Sequence, residues 1–242
     1  MSPVDPATLA DEVAKYGWYH TLDLGHGVVT KGMFDHRRST GRYLIPDDLT
    51  GMRCLDVGTM DGFWAFEMER RGASEVVAVD LEDPTKLDWP AAQRGTVPMT
   101  MDETKAIRFG LAREAFGSKV VRELRSVYEI DSDLGLFDLV FCGDLFVHIK
   151  DPATAAERLR LVCRGSAIVC NPIKEFRFAR GRALAEFDGI DEFQWWTTNL
   201  AGLKRLLLAA GFARVEAGER FELPATSGGP WKGLRGVVRG FV

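Results

Sequence analysis

Asp56, Gly58 and Gly62 in "LDVGTMDGFW", with Asp80 in "VVAVDLED", are the residues whose types and spacing point most directly to chemistry. An apolar run breaks at a glycine turn, and a second apolar run ends on a carboxylate. Glycine lets the backbone approach a ligand with no Cβ in the way. A carboxylate ending the next strand is placed to accept hydrogen bonds from ribose hydroxyls. The G-x-G-x-x-G of dinucleotide sites is missing. Asp61 stands where a bare helix N-terminus would receive a phosphate, and would repel one. The expected ligand therefore has a ribose and a cationic end but no phosphate. S-adenosylmethionine (SAM) meets that description.

SAM carries a methyl carbon already activated by a sulfonium. An enzyme that uses it must align a nucleophile and, where needed, remove its proton. His148, in "GDLFVHIKDP", is the first candidate base because it follows a strand end and titrates near neutral pH. His20 is the second, in an N-terminal segment that also holds His26 and His36. Asp144, four residues before His148, is placed to orient an imidazole or raise its pKa, while Lys150 opposes that. The acceptor is expected to meet the aromatic pairs Trp18-Tyr19 and Trp195-Trp196, with Arg37, Asn171 and Asn199 as polar contacts. The cysteines, Cys54, Cys142, Cys163 and Cys170, form no paired spacing, so no metal site is expected.

The elements that must position these residues follow from the pattern of apolar runs. Strands are predicted at about 53–57, 75–81, 119–127, 137–144 and 166–172. Helices are predicted at about 62–71 and 103–116, and from Pro152 with Asp151 as N-cap. Cys163 is read as the end of that last helix. A further helix follows Asn199 and stops at Gly211. Two late strands, about 213–223 and 234–242, have no helix between them and make a hairpin. The fold class is α/β: a Rossmann-like, doubly wound, mostly parallel seven-stranded sheet with a C-terminal antiparallel hairpin and an N-terminal cap. Residues 1–50 form the cap and 51–242 the main domain. Residues 173–198 are an insertion expected to act as a lid.

"LDVGTMDGFWAFEMERRGA" and "VVAVDLED", together with the terminal hairpin, resemble the class I SAM-dependent methyltransferases. The resemblance runs from about Arg53 to Val242. It implies that Asp56, Gly58 and Gly62 shape the turn under the methionine part of SAM. Asp80 would hold the ribose, with Leu81 on the adenine. Ser126 and Val127 would meet the adenine edge, and Cys142, Gly143 and the two residues after them the methionine side. "DLTGMRCLDVG", "FDLVFCGDLFVHIKDP" and "WWTTNLAGLKRLLLAAGF" are further similar to the tRNA wobble-uridine methyl- and carboxymethyltransferases. Val147 stands where the carboxymethyl-transferring relatives have a tyrosine before the histidine, which leaves plain SAM as the expected cofactor.

The chain has 242 residues, 46% of them hydrophobic, with a net charge of −4. That balance argues against a protein built mainly to grip a phosphate backbone, although basic residues cluster within 31–42 and 174–182. A small-molecule acceptor, methylated at oxygen or nitrogen, is the first expectation, and a tRNA uridine the second. A nicotinamide-dependent oxidoreductase is the third, opposed by the missing glycine fingerprint. Unpaired cysteines and a polar N-terminus fit a cytoplasmic protein with no membrane segment. The insertion leaves room for a homodimer contact.

Overall fold

The structure is a computed structural model that describes residues 5–94, 102–190, 193–228 and 233–242. Among the described residues the central sheet has eight strands, seven of them in one continuous order: β1 (Arg53–Val57), β2 (Glu75–Asp80), β3 (Val121–Leu124), β4 (Phe137–Gly143), β5 (Cys163–Pro172), β6 (Arg214–Ala217) and β7 (Leu234–Phe241). Their spatial order is β6-β7-β5-β4-β1-β2-β3. β1 to β5 pair in parallel, and β7 runs antiparallel to both β5 and β6. The order reverses at β1, so the carboxyl ends of β1 and β4 open on the switch point where α/β sheets bind ligands.

Each strand alternates between two hydrophobic cores, as a two-residue period requires. Cys54, Ala78, Leu139 and Phe141 face one core, while Leu55, Val77, Val79 and Val140 face the other. The second core is closed by α4 (Pro152–Leu161) and α5 (Leu200–Ala209) through Leu159, Leu203 and Leu207. The first is closed by α2 (Phe63–Arg70), α3 (Lys105–Phe116) and the N-terminal segment with α1 (Pro6–Val13). α4 begins at the expected Asp151–Pro152, with Asp151 accepting from the Thr154 amide. Two boundaries differ from the sequence expectation. Cys163 opens β5 rather than ending a helix. The first arm of the terminal hairpin is broken, with Arg214–Ala217 and Phe221–Glu222 pairing separately with β7.

Residues 5–50 are built into the main core. Trp18–His20 and Gly32–Phe34 form a short parallel ribbon, and Trp18 and Tyr43 are buried. The ribbon is pinned by Asp61, which is fully buried in the turn after β1. One Asp61 oxygen accepts the Tyr19 and His20 amides at 2.6 and 2.9 Å. The other accepts Arg108 Nε from α3 at 2.8 Å. Gly62, next in sequence, caps α2 at φ +91°, and a Cβ there would lie 2.4 Å from the Phe66 ring. No other residue type fits between the turn and α3.

Removing one member of a buried ion pair leaves an uncompensated charge, at a cost of about 3–5 kcal/mol. Asp61→Asn is expected to destabilise the protein by about that much in urea unfolding. A loss below about 1 kcal/mol would mean that Arg108 and the ribbon have other support.

Candidate active site

A cavity of about 470 Å³ opens at the carboxyl ends of β1, β2 and β4. Its cofactor-side wall is the turn after β1 and the end of β2. Gly58 bends at φ +78°, and the three atoms nearest a would-be Cβ all belong to the Leu145 side chain, at 3.6–3.8 Å. Met60, at φ +52°, is held in that conformation by its amide, which donates to Asp80 Oδ2 at 2.7 Å. Asp80 Oδ1 pairs with Lys105 Nζ at 3.1 Å. Lys105 is almost fully buried and also donates to the Leu81 carbonyl. Asp56 lies beneath the turn, accepting from Thr59 Oγ1 at 2.7 Å, and burial pushes its carboxyl up to about 7. Ser126 and Val127 line the wall after β3, where Ser126 caps a short turn in a reciprocal arrangement with Glu129.

The opposite end is aromatic and is supplied by the N-terminal segment. Tyr19, His20, His36 and Tyr43 face the cavity together with Trp64 of α2. Tyr43 and Trp64 lie 4.2 Å apart between centroids, and His20 and His36 5.4 Å apart. His36 Nδ1 meets the Tyr43 hydroxyl at 2.8 Å. His20 Nδ1 is buried and has no hydrogen-bond partner. Burial holds His36 down at about 4 and His20 well below the ordinary histidine value, so both rings are neutral at neutral pH. Asp144, at φ +50° just beyond β4, pairs through Oδ2 with the buried Arg235 of β7 at 2.8 Å. Its Oδ1 is buried without a partner.

The insertion packs against the loop after β4, part of which lines the cavity. A ribbon pairs Ala185–Phe187 with Trp196–Thr198. The Trp195 amide donates to the Val147 carbonyl, and the Trp196 indole to the Lys150 carbonyl. His148 Nδ1 lies 2.5 Å from the Phe193 carbonyl, and its ring also lines the cavity.

Of the residues predicted from sequence, the cavity brings together Asp56, Gly58, Asp80, Leu81, Ser126, Val127, Gly143, His148, His20 and Tyr19. The others lie elsewhere, each for a physical reason. Gly62 is a packing glycine under α3, and Cys142 points into the second core. Trp18 is buried in the cap, its indole donating to the Val13 carbonyl. Trp195 and Trp196 spend their indole N–H groups on the Asp88 and Lys150 carbonyls. Arg37 forms a two-point pair with Asp35 at the surface. Asn199 is a saturated N-cap, accepting from Gly202 and Leu184 and donating to the Arg182 carbonyl. Asn171 is buried on β5 with no partner for its side-chain oxygen, and it does not line the cavity. Asp61, expected to face the ligand, is consumed by Arg108 and the cap ribbon.

Sequence reasoning missed Lys105, Arg108, Tyr43, Trp64 and Arg235. For two of them a signal was present. Lys105, Arg108, Phe109 and Ala112 share one face of α3 at helical spacing, and all four are buried. Two cations on an apolar stripe imply buried anions to receive them. Among the described residues no group of three His, Cys, Asp or Glu side chains could hold a metal ion, and no helix is long and apolar enough to cross a membrane.

A family model described as a methyltransferase domain matches residues 33–217, and the chain belongs to that family. It is 32% identical over 136 residues to the ubiquinone biosynthesis O-methyltransferase of Alkalilimnicola ehrlichii. The match covers 54% of this chain and spans about half the length of that relative, 47%. Among solved structures, the N-terminal domain of EvdMO1, crystallised in the presence of S-adenosylhomocysteine (SAH) and D-fucose, matches with a TM-score of 0.65 at 15% identity. That match covers 99% of this chain and 97% of the other. Magnesium protoporphyrin IX methyltransferase from Synechocystis PCC 6803, with bound SAH, matches with a TM-score of 0.52 at 14% identity, over 80% and 75% of the two chains. Both share the fold.

The cavity fits SAM. Asp80 uses two of its roughly four acceptor positions on Met60 and Lys105, leaving others for ribose hydroxyls. The surface at Gly58 is open to close approach. Among the cations lining the cavity, Lys105 pairs with Asp80, Arg125 with Asp133 and Lys150 with Asp88.

The buried histidines make stability depend on pH. His36 stays neutral in the folded protein down to about pH 4, while in the unfolded chain it protonates near 6.5. Below 6.5 the unfolded state therefore binds the extra proton, and acid removes about 1.4 kcal/mol per pH unit. Any stability gap between the parent and His36→Gln at pH 7 should shift against the parent by about 2 kcal/mol at pH 5. Asp56 works in the opposite sense but is common to both proteins. Urea unfolding at the two pH values checks this, and an unchanged gap would show that His36 titrates normally in the fold.

Proposed function

We propose that the protein transfers the SAM methyl group to a hydroxyl oxygen of a small molecule seated against Tyr19, His36, Tyr43 and Trp64, with His20 as the base. The observation that carries this reading is His20 itself, an imidazole on the cavity wall that burial holds neutral at neutral pH. A neutral amine needs no base to attack a methyl group, but a hydroxyl does. The name of the Alkalilimnicola relative supports oxygen as the atom. SAM supplies the activated methyl carbon. Asp80 holds its ribose, Leu81, Ser126 and Val127 border the adenine, and Gly58 and Gly143 flank the methionine part.

His148, first in line from sequence, is read as a positioning group. Its Nδ1 is committed to the Phe193 carbonyl, which ties the loop after β4 to the insertion. Residues 1–50 serve as the cap carrying the acceptor wall, and 173–198 as the lid that excludes water. The tRNA reading draws no support from the site. Arg37 is bound to Asp35, and the relatives reported above are named for ubiquinone biosynthesis and for magnesium protoporphyrin IX.

Asp80→Asn should weaken SAH binding about 10- to 100-fold, the worth of a hydrogen bond to a charged acceptor. Calorimetric titration reads this, and an unchanged affinity would remove Asp80 from the ribose. His20→Ala should lower kcat by about 10²–10⁴ while SAH affinity holds. Because burial depresses the His20 pKa, the acid limb of the parent's rate should fall below pH 6.5. A limb at the ordinary histidine value that vanishes in His148→Ala would transfer the role to His148.

A further inference from the structure

Five of the six tryptophans lie in the described residues, and three of their indole N–H groups are spent on backbone carbonyls: Trp18 on Val13, Trp195 on Asp88 and Trp196 on Lys150. Trp64 and Trp89 are deeply buried, at 5% and 4% exposure, and both line the cavity. Among the described residues neither of their indole nitrogens has an acceptor. Neither nitrogen is sealed off. The side-chain nitrogens and oxygens that lack both a partner and an accessible surface belong to His20, Arg122, Asp144, Asn171 and Thr198. The Trp64 and Trp89 N–H groups therefore keep some surface, on residues whose open side is the cavity. A buried indole N–H ordinarily finds a partner, so each of these two calls for an acceptor that a ligand brings. Trp64 is the one whose N–H has a known place. A Cβ on Gly143 would lie 3.7 Å from Trp64 Nε1, so the N–H edge of the ring meets the end of β4.

From this we infer that Trp64 binds the cofactor, donating its indole N–H to the carboxylate at the methionine end of SAM. This rests on the reading above in which Gly143 flanks the methionine part. An indole N–H donates and cannot accept. On its methionine side SAM offers a sulfonium and an ammonium, neither of which accepts a hydrogen bond, and one carboxylate, which does. That carboxylate leaves water to enter the cavity and needs donors there. The cations of the cavity are placed elsewhere. Lys105, Arg125 and Lys150 are paired with carboxylates, and Lys86 and Arg94 are exposed on the segment that follows β2, at the ribose end set by Asp80. Arg235 is committed to Asp144. The start of α2 is taken as well, since Asp56 accepts the Ala65 amide and the buried Asp61 stands beside it. A neutral side-chain donor is what remains. Its direction is fixed before the cofactor arrives, because Tyr43, Phe141 and Phe63 pack on the Trp64 ring with centroids 4.2, 4.8 and 4.9 Å away.

The test is calorimetric titration with SAH and with its decarboxylated analogue, which keeps the ammonium and lacks the carboxylate. Trp64→Phe keeps an aromatic ring on α2 and removes the donor. It should weaken SAH by about 10-fold or more, the worth of a hydrogen bond to a charged group, while the analogue binds variant and parent within about threefold of each other. Trp89→Phe should leave the preference for SAH over the analogue intact. If Trp64→Phe fails to fold, the indole N–H resonances of the parent decide by NMR. An indole other than the one lost in Trp89→Phe should then move downfield with SAH and stay in place with the analogue, and the absence of such a shift would overturn the proposal. Equal weakening of both ligands by Trp64→Phe would mark a packing role and overturn it. So would an unchanged SAH affinity, or a carboxylate preference that is lost in Trp89→Phe. A parent that binds neither ligand would sink the SAM reading itself, whereas SAH binding with no dependence on Trp64 would sink this inference alone.

Discussion

One carboxylate holds the site together. Asp61 is fully buried, and burying a charge is costly unless every lone pair finds a donor. Its donors come from three places distant in sequence: the Tyr19 and His20 amides of the cap and the Arg108 guanidinium of α3. Arg108 extends the network to Asp102 and Thr104, at the start of α3. Folding the turn after β1 therefore fixes the cap ribbon and the helix that carries Lys105. His20 and Lys105 stand on opposite walls of the cavity, and both are placed from this one point. A weaker anchor would leave the acceptor wall free to drift relative to the cofactor turn, and a misplacement of about 1 Å is enough to matter for methyl transfer.

The same economy of charge runs through the cavity. Asp61 pairs with Arg108, Asp80 with Lys105 and Asp144 with Arg235, each pair buried or nearly so. Two of the three carboxylates, Asp80 and Asp144, belong to residues that border the cavity. Both sit next to strained backbone. Met60, which donates to Asp80, and Asp144 itself are non-glycine residues at positive φ. Such conformations cost of order 1–3 kcal/mol each and persist only where hydrogen bonds over-determine them. Here those bonds are the Met60 amide to Asp80 and the Asp144 amide to the Cys170 carbonyl.

The fold and the cofactor side were legible in the sequence because both rest on local signals. Strand period, the glycine turn, the Asp151–Pro152 start and the terminal carboxylate of β2 are each written within a few residues. The acceptor side was less legible because it is assembled from long-range contacts. Trp18, Trp195 and Trp196 look like a ligand cage in sequence, yet their indole N–H groups are consumed by backbone carbonyls. His36, Tyr43 and Trp64 come together only when the cap packs on α2. Asp61 has the residue type expected of a ligand-facing turn, and sequence alone cannot show that Arg108 reaches it from α3.

In the reaction proposed above, methyl transfer from a sulfonium to a hydroxyl would move positive charge rather than create it. The cation on sulfur disappears as a proton arrives on the base. In a dry cavity the placement of fixed charges decides whether that movement is favoured. Uncompensated cations near His20 would oppose the imidazolium, and Arg108 and Arg235 are the two buried guanidinium groups of this region. Asp61 and Asp144 pair with them, and the Arg108 charge still adds to burial in holding the His20 pKa down. Burial holds His20 neutral before the reaction, which keeps its lone pair available. The Asp144 carboxylate, which acts electrostatically on His36 and Tyr19 beside it, favours positive charge on this wall once the proton moves. The Asp61–Arg108 pair thus serves two ends with the same atoms: it holds the cap to the turn after β1, and its cation helps keep the His20 ring neutral.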